Sequence, residues 1–209
     1  DPGEFEASGA FPWEAWEKCA GMQFMGLPFP EEYGGGACDF LTMSIVLNAL
    51  GYSCRDAGLV HAIATQILCG MQINLFASAQ QKQKFLPDVC TGKKVFAQAI
   101  TEPDSGSDAM SLRTRALKDG DVYRLNGSKM FITNGPIADV VVVFALTDPD
   151  RKTLGGISCF LVEKGSEGFV QCSPLRKLGL SSLQNGELVF ENCPVPEGNL
   201  LGKEGQGGL

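Results

Sequence analysis

Residues 78–100 read SAQQKQKFLPDVCTGKKVFAQAI, and the character of the chain changes inside this stretch. Ser78 and Gln81 have the S-x-x-Q form of a capping box, which satisfies two backbone N–H groups at a helix start. A polar helix, AQQKQKFL, is therefore predicted to open there and to stop near Pro87, whose ring has no N–H to continue it. From Lys94 the run VFAQAI is β-rich. Before residue 92 apolar residues recur at helical intervals, and after it short apolar runs alternate with turn signals.

Working toward the N-terminus, Asp39 is placed to cap a helix on which Phe40, Met43, Leu47 and Leu50 step by three and four. A long apolar helix follows the CRDAG segment, from about Leu59 to Ala77. Trp13, Trp16, Ala20 and Phe24 repeat the same spacing after Pro12, which predicts a core stripe on one helix face. Toward the C-terminus the runs SLRTRAL, VYRLNG, KMFITN, DVVVVFAL, ISCFLVE, FVQC and GELVFEN follow VFAQAI, with Lys118-Asp119-Gly120-Asp121 as a hairpin turn between two of them. The expected fold class is α+β: an all-α domain over residues 1–92, then a small antiparallel β-barrel or sandwich over residues 93–209.

Composition narrows the function. With 44% hydrophobic and 20% charged residues the chain is that of a folded globular protein rather than a disordered one. The formal net charge of −7 has the wrong sign for neutralising a phosphate backbone, so nucleic acid is not an expected partner. Basic side chains are concentrated in the second half, where 13 of the 17 Lys and Arg residues lie, and local groups there can hold a small anionic ligand. The eight cysteines are widely spaced, with no C-x-x-C pair, which fits a reducing compartment with cysteines packed as small hydrophobes. His61 is the single histidine and lies in an apolar helical segment, so neither a zinc cluster nor a histidine triad is expected. The longest unbroken apolar run, Val140 to Leu146, is far short of the roughly 20 residues of a spanning helix, so no membrane segment is expected. The acidic N-terminus, DPGEFEASG, has neither the basic start nor the apolar stretch of a signal peptide.

Two stretches carry chemistry. In Ala99-Ile100-Thr101-Glu102-Pro103-Asp104-Ser105-Gly106-Ser107-Asp108, Gly106 gives backbone freedom between two hydroxyls, so successive amides can turn toward a phosphate; an ordinary tight loop has the same look. In Lys129-Met130-Phe131-Ile132-Thr133-Asn134-Gly135, an aromatic and a hydroxyl two residues apart share one side of a strand. Such a pair can stack on a planar ring and bond its edge, or simply pack before an Asn-Gly turn.

Together and in this order the two stretches resemble the acyl-CoA dehydrogenase family, as do PEEYGGGACDF near the start, LVEKGSEGF, KLGL, and the closing GELVFENCPVPEGNLLGKEGQG. The resemblance covers nearly the whole chain. It implies a helical N-terminal domain, a β-barrel-like middle domain and a C-terminal four-helix domain, with FAD between the last two. Carried over residue by residue, it makes Thr101 the threonine at the pyrimidine edge of the flavin, with the backbone of Gln98 and Ile100 beside that ring. Gly106 and Ser107 match the turn at the FAD pyrophosphate, and Ser107 also lies near the acyl thioester. Phe131 takes the place of an aromatic, often Trp, that shields the flavin. Thr133 faces N5 and O4, and Ile132 lies between the two in the same cofactor-binding stretch. Ser181-Ser182-Leu183-Gln184 departs from the basic residue and serine that follow the KLGL-like motif in relatives.

What the resemblance implies for function is FAD-dependent α,β-dehydrogenation of an acyl-CoA or a carrier-bound acyl thioester. Electrons would pass to an electron-transfer flavoprotein, in a bacterial cytoplasm or the mitochondrial matrix. The catalytic glutamate of most members lies in the C-terminal helical domain, so no residue here is given that role; the position of Glu102 is structural in relatives. The chain alone is expected to be inactive and to need that domain in cis or as a partner chain, and the complete protein is expected to be a homo-oligomer. An oxidase-like member passing electrons to oxygen, and a non-catalytic subunit contributing half of a flavin site, are the alternatives. No metal is implied.

Overall fold

Among the described residues, side-chain caps start three helices. Asp39 Oδ1 accepts from the N–H of Thr42 at 2.8 Å, Asp56 Oδ1 from that of Leu59 at 3.1 Å, and Ser78 and Gln81 cap each other at 3.2 and 2.9 Å. These begin α3 (Phe40–Ser53), α4 (Ala57–Phe76) and α5 (Ala79–Cys90), which follow α1 (Pro2–Ser8) and α2 (Trp13–Gly21). The computed structural model describes residues 2–151 and 155–208. Contacts divide the chain into a helical unit, residues 1–96 with 175–184, and a sheet unit, residues 97–174 with 185–209.

In the helical unit α4 is the core element, burying Leu59, Ala62, Ile63, Ile67, Cys69 and Ile73. Gly70 lets it approach its neighbours, because a β-carbon there would overlap the ring of Phe29 and the side chain of Val89. By length and mean hydropathy alone α4 is apolar enough to cross a membrane, a property spread over the whole helix and therefore invisible in a search for unbroken apolar runs. Half of it is buried within this unit, and the buried Gln66 Nε2 donates to the carbonyl of Lys94 at 2.8 Å, as a core helix requires.

Three local expectations are corrected. Helix α5 runs through Pro87 to Cys90. The turn continues because the N–H and hydroxyl of Thr91 both return to the Pro87 carbonyl while Leu86, Val89 and Cys90 are buried. The tryptophan stripe is broken: α2 ends at Gly21, Gln23 turns left-handed at φ 61°, and Phe24 belongs to a short 3-10 helix. Trp16 is buried, but Trp13 at the helix start remains 47% exposed, edge-on to Phe11. On α3 only Met43 of the stepped apolar residues is buried.

Residues 175–184 belong with the helices because the N–H and hydroxyl of Ser181 donate to Glu6, the Ser182 hydroxyl to Asp56 at 2.7 Å, and Gln184 Nε2 to the Gly9 carbonyl at 2.9 Å.

The sheet unit contains β1 (Phe96–Ala99), β2 (Arg115–Asp119), β3 (Val122–Thr133), β4 (Val140–Leu146), β5 (Ile157–Glu163), β6 (Phe169–Gln171), β7 (Asn185–Pro196) and β8 (Leu200–Leu201). The strand order is β6-β7-β3-β2-β4-β5-β8, with β1 beside β4. The β2–β3, β3–β7, β4–β5, β5–β8 and β6–β7 pairings are antiparallel, and β2 meets β4 in parallel at Arg115↔Leu146. The fold is thus the expected helices followed by a mostly antiparallel sheet; of the two expected forms, barrel or sandwich, the sheet is not closed into a barrel, and among the described residues its ends are the short strands β6 and β8. VYRLNG and KMFITN are one long strand, β3, and the predicted hairpin turn joins β2 to it at Gly120, φ 62°. The core gathers Tyr123, Leu125, Ile132, Val141, Phe160, Val162, Leu188 and Phe190. All eight cysteines are free thiols, and burial pushes those of Cys90 and Cys193 up to about 11, which makes them packing groups.

Candidate functional site

Strand β1 buries Ala97 and Ala99 and leaves Gln98 half-exposed between them; Ile100 continues that alternation. The chain then turns sharply: Glu102 and Ser105 exchange backbone hydrogen bonds of 2.9 and 3.2 Å across Pro103-Asp104. Past this turn Gly106 and Ser107 are exposed, and a β-carbon added to Gly106 would meet no atom within 4 Å. Among the described residues none accepts from the N–H groups of Gly106 and Ser107. The neighbouring acids are turned to partners of their own. Asp104 is paired with Arg113 at 2.9 Å, and Asp108 accepts from the Ser111 hydroxyl.

The loop is closed at its neck by Glu102, which is only 6% exposed. Its Oε2 accepts from the N–H of Arg113 at 2.6 Å, and its Oε1 accepts from the N–H of Thr114 at 2.9 Å and from Lys129 Nζ at 2.8 Å. Burial works against its charge, yet hydrogen bonds from Lys129 and Thr114 outweigh that and hold the carboxyl below its usual range. Lys129, wholly buried on β3, also donates to the Ile100 carbonyl at 2.9 Å, and burial pulls its ammonium below the usual lysine range. Nothing in the local pattern around Lys129 or Glu102 announced this pairing.

Immediately after Lys129, β3 is irregular. The N–H of Met130 donates to the Thr101 carbonyl at 2.9 Å, the register with β7 shifts between Lys129 and Ile132, and Phe131 sits at φ 60°. This left-handed turn leaves Phe131 64% exposed, buries Ile132 in the core, and returns Thr133 to the partly exposed side. The kink is held by Asn185, whose Nδ2 donates to the Phe131 carbonyl at 2.8 Å and reaches the Thr133 hydroxyl at 3.4 Å. Beyond it, Gln171 Nε2 donates to the carbonyls of Gly135 and Ala138 at 2.7 and 2.8 Å.

The structure therefore joins Ile100 and Thr101 to the Lys129–Thr133 stretch by hydrogen bonds and hangs Gly106 and Ser107 on the same loop. Ile132 is the exception among the candidates, since its side chain belongs to the core. An exposed aromatic residue, a hydroxyl and free amides in one unit are groups of the kind that hold a ligand with a planar ring and an anionic tail. A separate open cleft of about 550 Å³ in the helical unit, lined by Trp13, Trp16, Glu17 and Lys93 among others, contains none of these residues. Among the described residues no group of three His, Cys, Asp or Glu side chains converges on a metal position.

The sequence matches the acyl-CoA dehydrogenase N-terminal domain over residues 2–93 and the middle domain over residues 97–193. The chain belongs to the acyl-CoA dehydrogenase family. An acyl-CoA dehydrogenase of Bacillus subtilis is 43% identical over 97% of this chain and 53% of its own length. Two solved structures superpose with a TM-score of 0.95. One, described as the prolyl acyl carrier protein oxidase AnaB, is 41% identical over 98% of this chain and 54% of its own. The other, an FAD complex of PigA, is 35% identical over 100% of this chain and 54% of its own. The chain thus spans about half the length of the relatives it matches.

Proposed function

We propose that this acyl-CoA dehydrogenase family chain supplies the flavin-binding face of an FAD-dependent enzyme that removes hydrogens from the α and β carbons of an acyl thioester. The observation that carries the reading is the hydrogen-bonded union of the Ile100–Glu102 segment with Lys129 and Met130, which puts the Thr101–Ser107 loop beside the root of the Phe131 kink. In this reading the amides of Gly106 and Ser107 hold the pyrophosphate, and Thr101 bonds the pyrimidine edge beside the backbone of Gln98 and Ile100. Phe131 covers one ring face and keeps water from it, and Thr133 directs its hydroxyl at N5 and O4. Ser107 also contacts the acyl thioester. FAD, when bound, supplies the two-electron acceptance that no side chain here can offer.

The remaining task is removal of the α-proton by a carboxylate. Glu102 does not do this, because its oxygens are taken up by two backbone amides and Lys129. We assign the base to a helical segment outside these residues, in cis or from a partner chain within a homo-oligomer. The electron acceptor is an electron-transfer flavoprotein, and the compartment a bacterial cytoplasm or mitochondrial matrix. A second reading, in which a carrier-bound thioester is oxidised and electrons pass to oxygen, is favoured by the likeness to a prolyl carrier protein oxidase.

Anaerobic mixing of the FAD-loaded, native-length protein with acyl-CoA and acyl-carrier thioesters tests the proposal. Bleaching of the flavin band supports it, and a flavin that no thioester bleaches sinks it. Oxygen uptake without an added acceptor selects the second reading.

A further inference from the structure

We propose that Lys129 and Glu102 are a positioning pair for the cofactor, holding the pyrophosphate loop and the ring-edge residues at a fixed separation and keeping the charge beside the ring balanced. The inference rests on the FAD reading above but concerns residues that touch no ligand in it. Four hydrogen bonds meet at this pair. Glu102 ties the loop's two ends together by accepting from Arg113 and Thr114, eleven and twelve residues downstream, so residues 103–112 form a loop with a closed neck. Lys129 then ties that neck to β3, donating to Glu102 and to the Ile100 carbonyl. Two residues beyond Lys129 lies the Phe131 kink, and two residues beyond Ile100 lies Glu102, so the pair joins the two halves of the candidate site at their roots.

Such an arrangement is a poor way to gain stability alone. Removing two charges from water costs several kcal/mol per ion, and a well-packed apolar pair is often as stable or more so. A buried pair makes sense where geometry is at stake, because each partner has one arrangement that satisfies it. Here that arrangement sets where the amides of Gly106 and Ser107 stand relative to Thr101, Phe131 and Thr133. The pair also leaves no net charge beside the Ile100 carbonyl, which the FAD reading puts next to the ring.

The test uses native-length protein, with FAD affinity from fluorescence quenching, the reduction potential of the bound flavin, and folding from circular dichroism. Glu102→Gln leaves an unbalanced positive charge and is expected to weaken FAD binding by about tenfold, the cost of one charged hydrogen bond, and to raise the potential. Lys129→Met is expected to weaken binding similarly and to lower the potential. A folded variant that binds FAD as the native protein does, or two variants that shift the potential in the same direction, would overturn the proposal. Should Glu102→Gln fail to fold, Glu102→Asp keeps the charge and shortens the reach: weakened FAD binding at an unchanged potential supports the pair, and native affinity overturns it. If the native protein itself binds no FAD, the functional reading fails instead.

Discussion

Asn185 Nδ2 donates to the carbonyl of Phe131 at 2.8 Å, and Phe131 is a non-glycine residue held at φ 60° in the middle of a strand pair. A left-handed backbone costs roughly 1–2 kcal/mol at a residue with a β-carbon, so the bond from the neighbouring strand stabilises a conformation the local sequence resists. The same kink turns a large ring to solvent and sends Ile132 into the core.

Phe131→Gly separates stability from binding. Glycine accepts the left-handed backbone, and the exposed ring gives up little buried area, so the melting temperature is expected to stay within about 4 °C of the native value, equivalent to roughly 1 kcal/mol at this size. Flavin affinity should drop clearly, with the stacking face gone. A stability loss of the size seen for core Phe truncation, about 3–5 kcal/mol, would mean the ring is packed and the site reading wrong.

Thr133→Val addresses the hydroxyl. Asn185 approaches it at 3.4 Å as a donor, which leaves the hydroxyl proton free to be given elsewhere. Valine keeps the shape, so substrate KM should change little while flavin reduction slows, on the order of 10²-fold for a donor acting where charge develops. Stopped-flow bleaching with a saturating thioester measures it. An unchanged reduction rate with a raised KM reverses the assignment.

Gly70→Ala probes the helical unit without touching the site. Its added methyl meets Phe29 and Val89, both buried and unable to move aside without loosening the core. Overpacking of this kind costs typically 1–3 kcal/mol, read as a lowered denaturant midpoint. An alanine variant as stable as the native chain would show that α4 packs less closely than the structure has it.

Much of this molecule was legible locally. The caps at Asp39 and Ser78, the hairpin at Gly120 and the change from helices to strands follow from short-range rules, and each is where the pattern puts it. What local rules cannot carry is pairing over distance. The β-rich runs do not say that the sheet stays open, because closure depends on register between strands far apart in sequence. Pro87 looks like a stop until the burial of Val89 and Cys90 is known. At the candidate site, Gly106, Ser107, Phe131 and Thr133 are flagged by type and spacing and Thr101 through the family resemblance, whereas Asn185 and Gln171 act on residues 54 and 36 positions away and carry no local mark. Lys129 reads as an ordinary polar position until its partner, 27 residues earlier, is seen.

The pH dependence of stability follows from that last pair. Glu102 is held below its ordinary value in the folded chain, so its contribution is fully present above the unfolded value of about 4.5 and is lost as pH falls through the lower, folded value. Lys129 is also below its ordinary value, so the unfolded chain binds the extra proton and stability rises with pH toward the unfolded value near 10.5. Glu102→Gln removes the carboxylate that keeps the ammonium charged, which should destabilise the fold by about 3–5 kcal/mol near neutrality, the cost of a buried unpaired charge. The deficit should shrink as pH rises from 7 to 10, because the lone lysine can then be buried neutral, and it should also shrink as pH falls through the lowered folded value of Glu102, where the native carboxylate is itself protonated. Chemical denaturation of both proteins across this range gives the comparison. A deficit that stays constant from pH 4 to pH 10 would show that Glu102 is not charged against Lys129 in the folded chain.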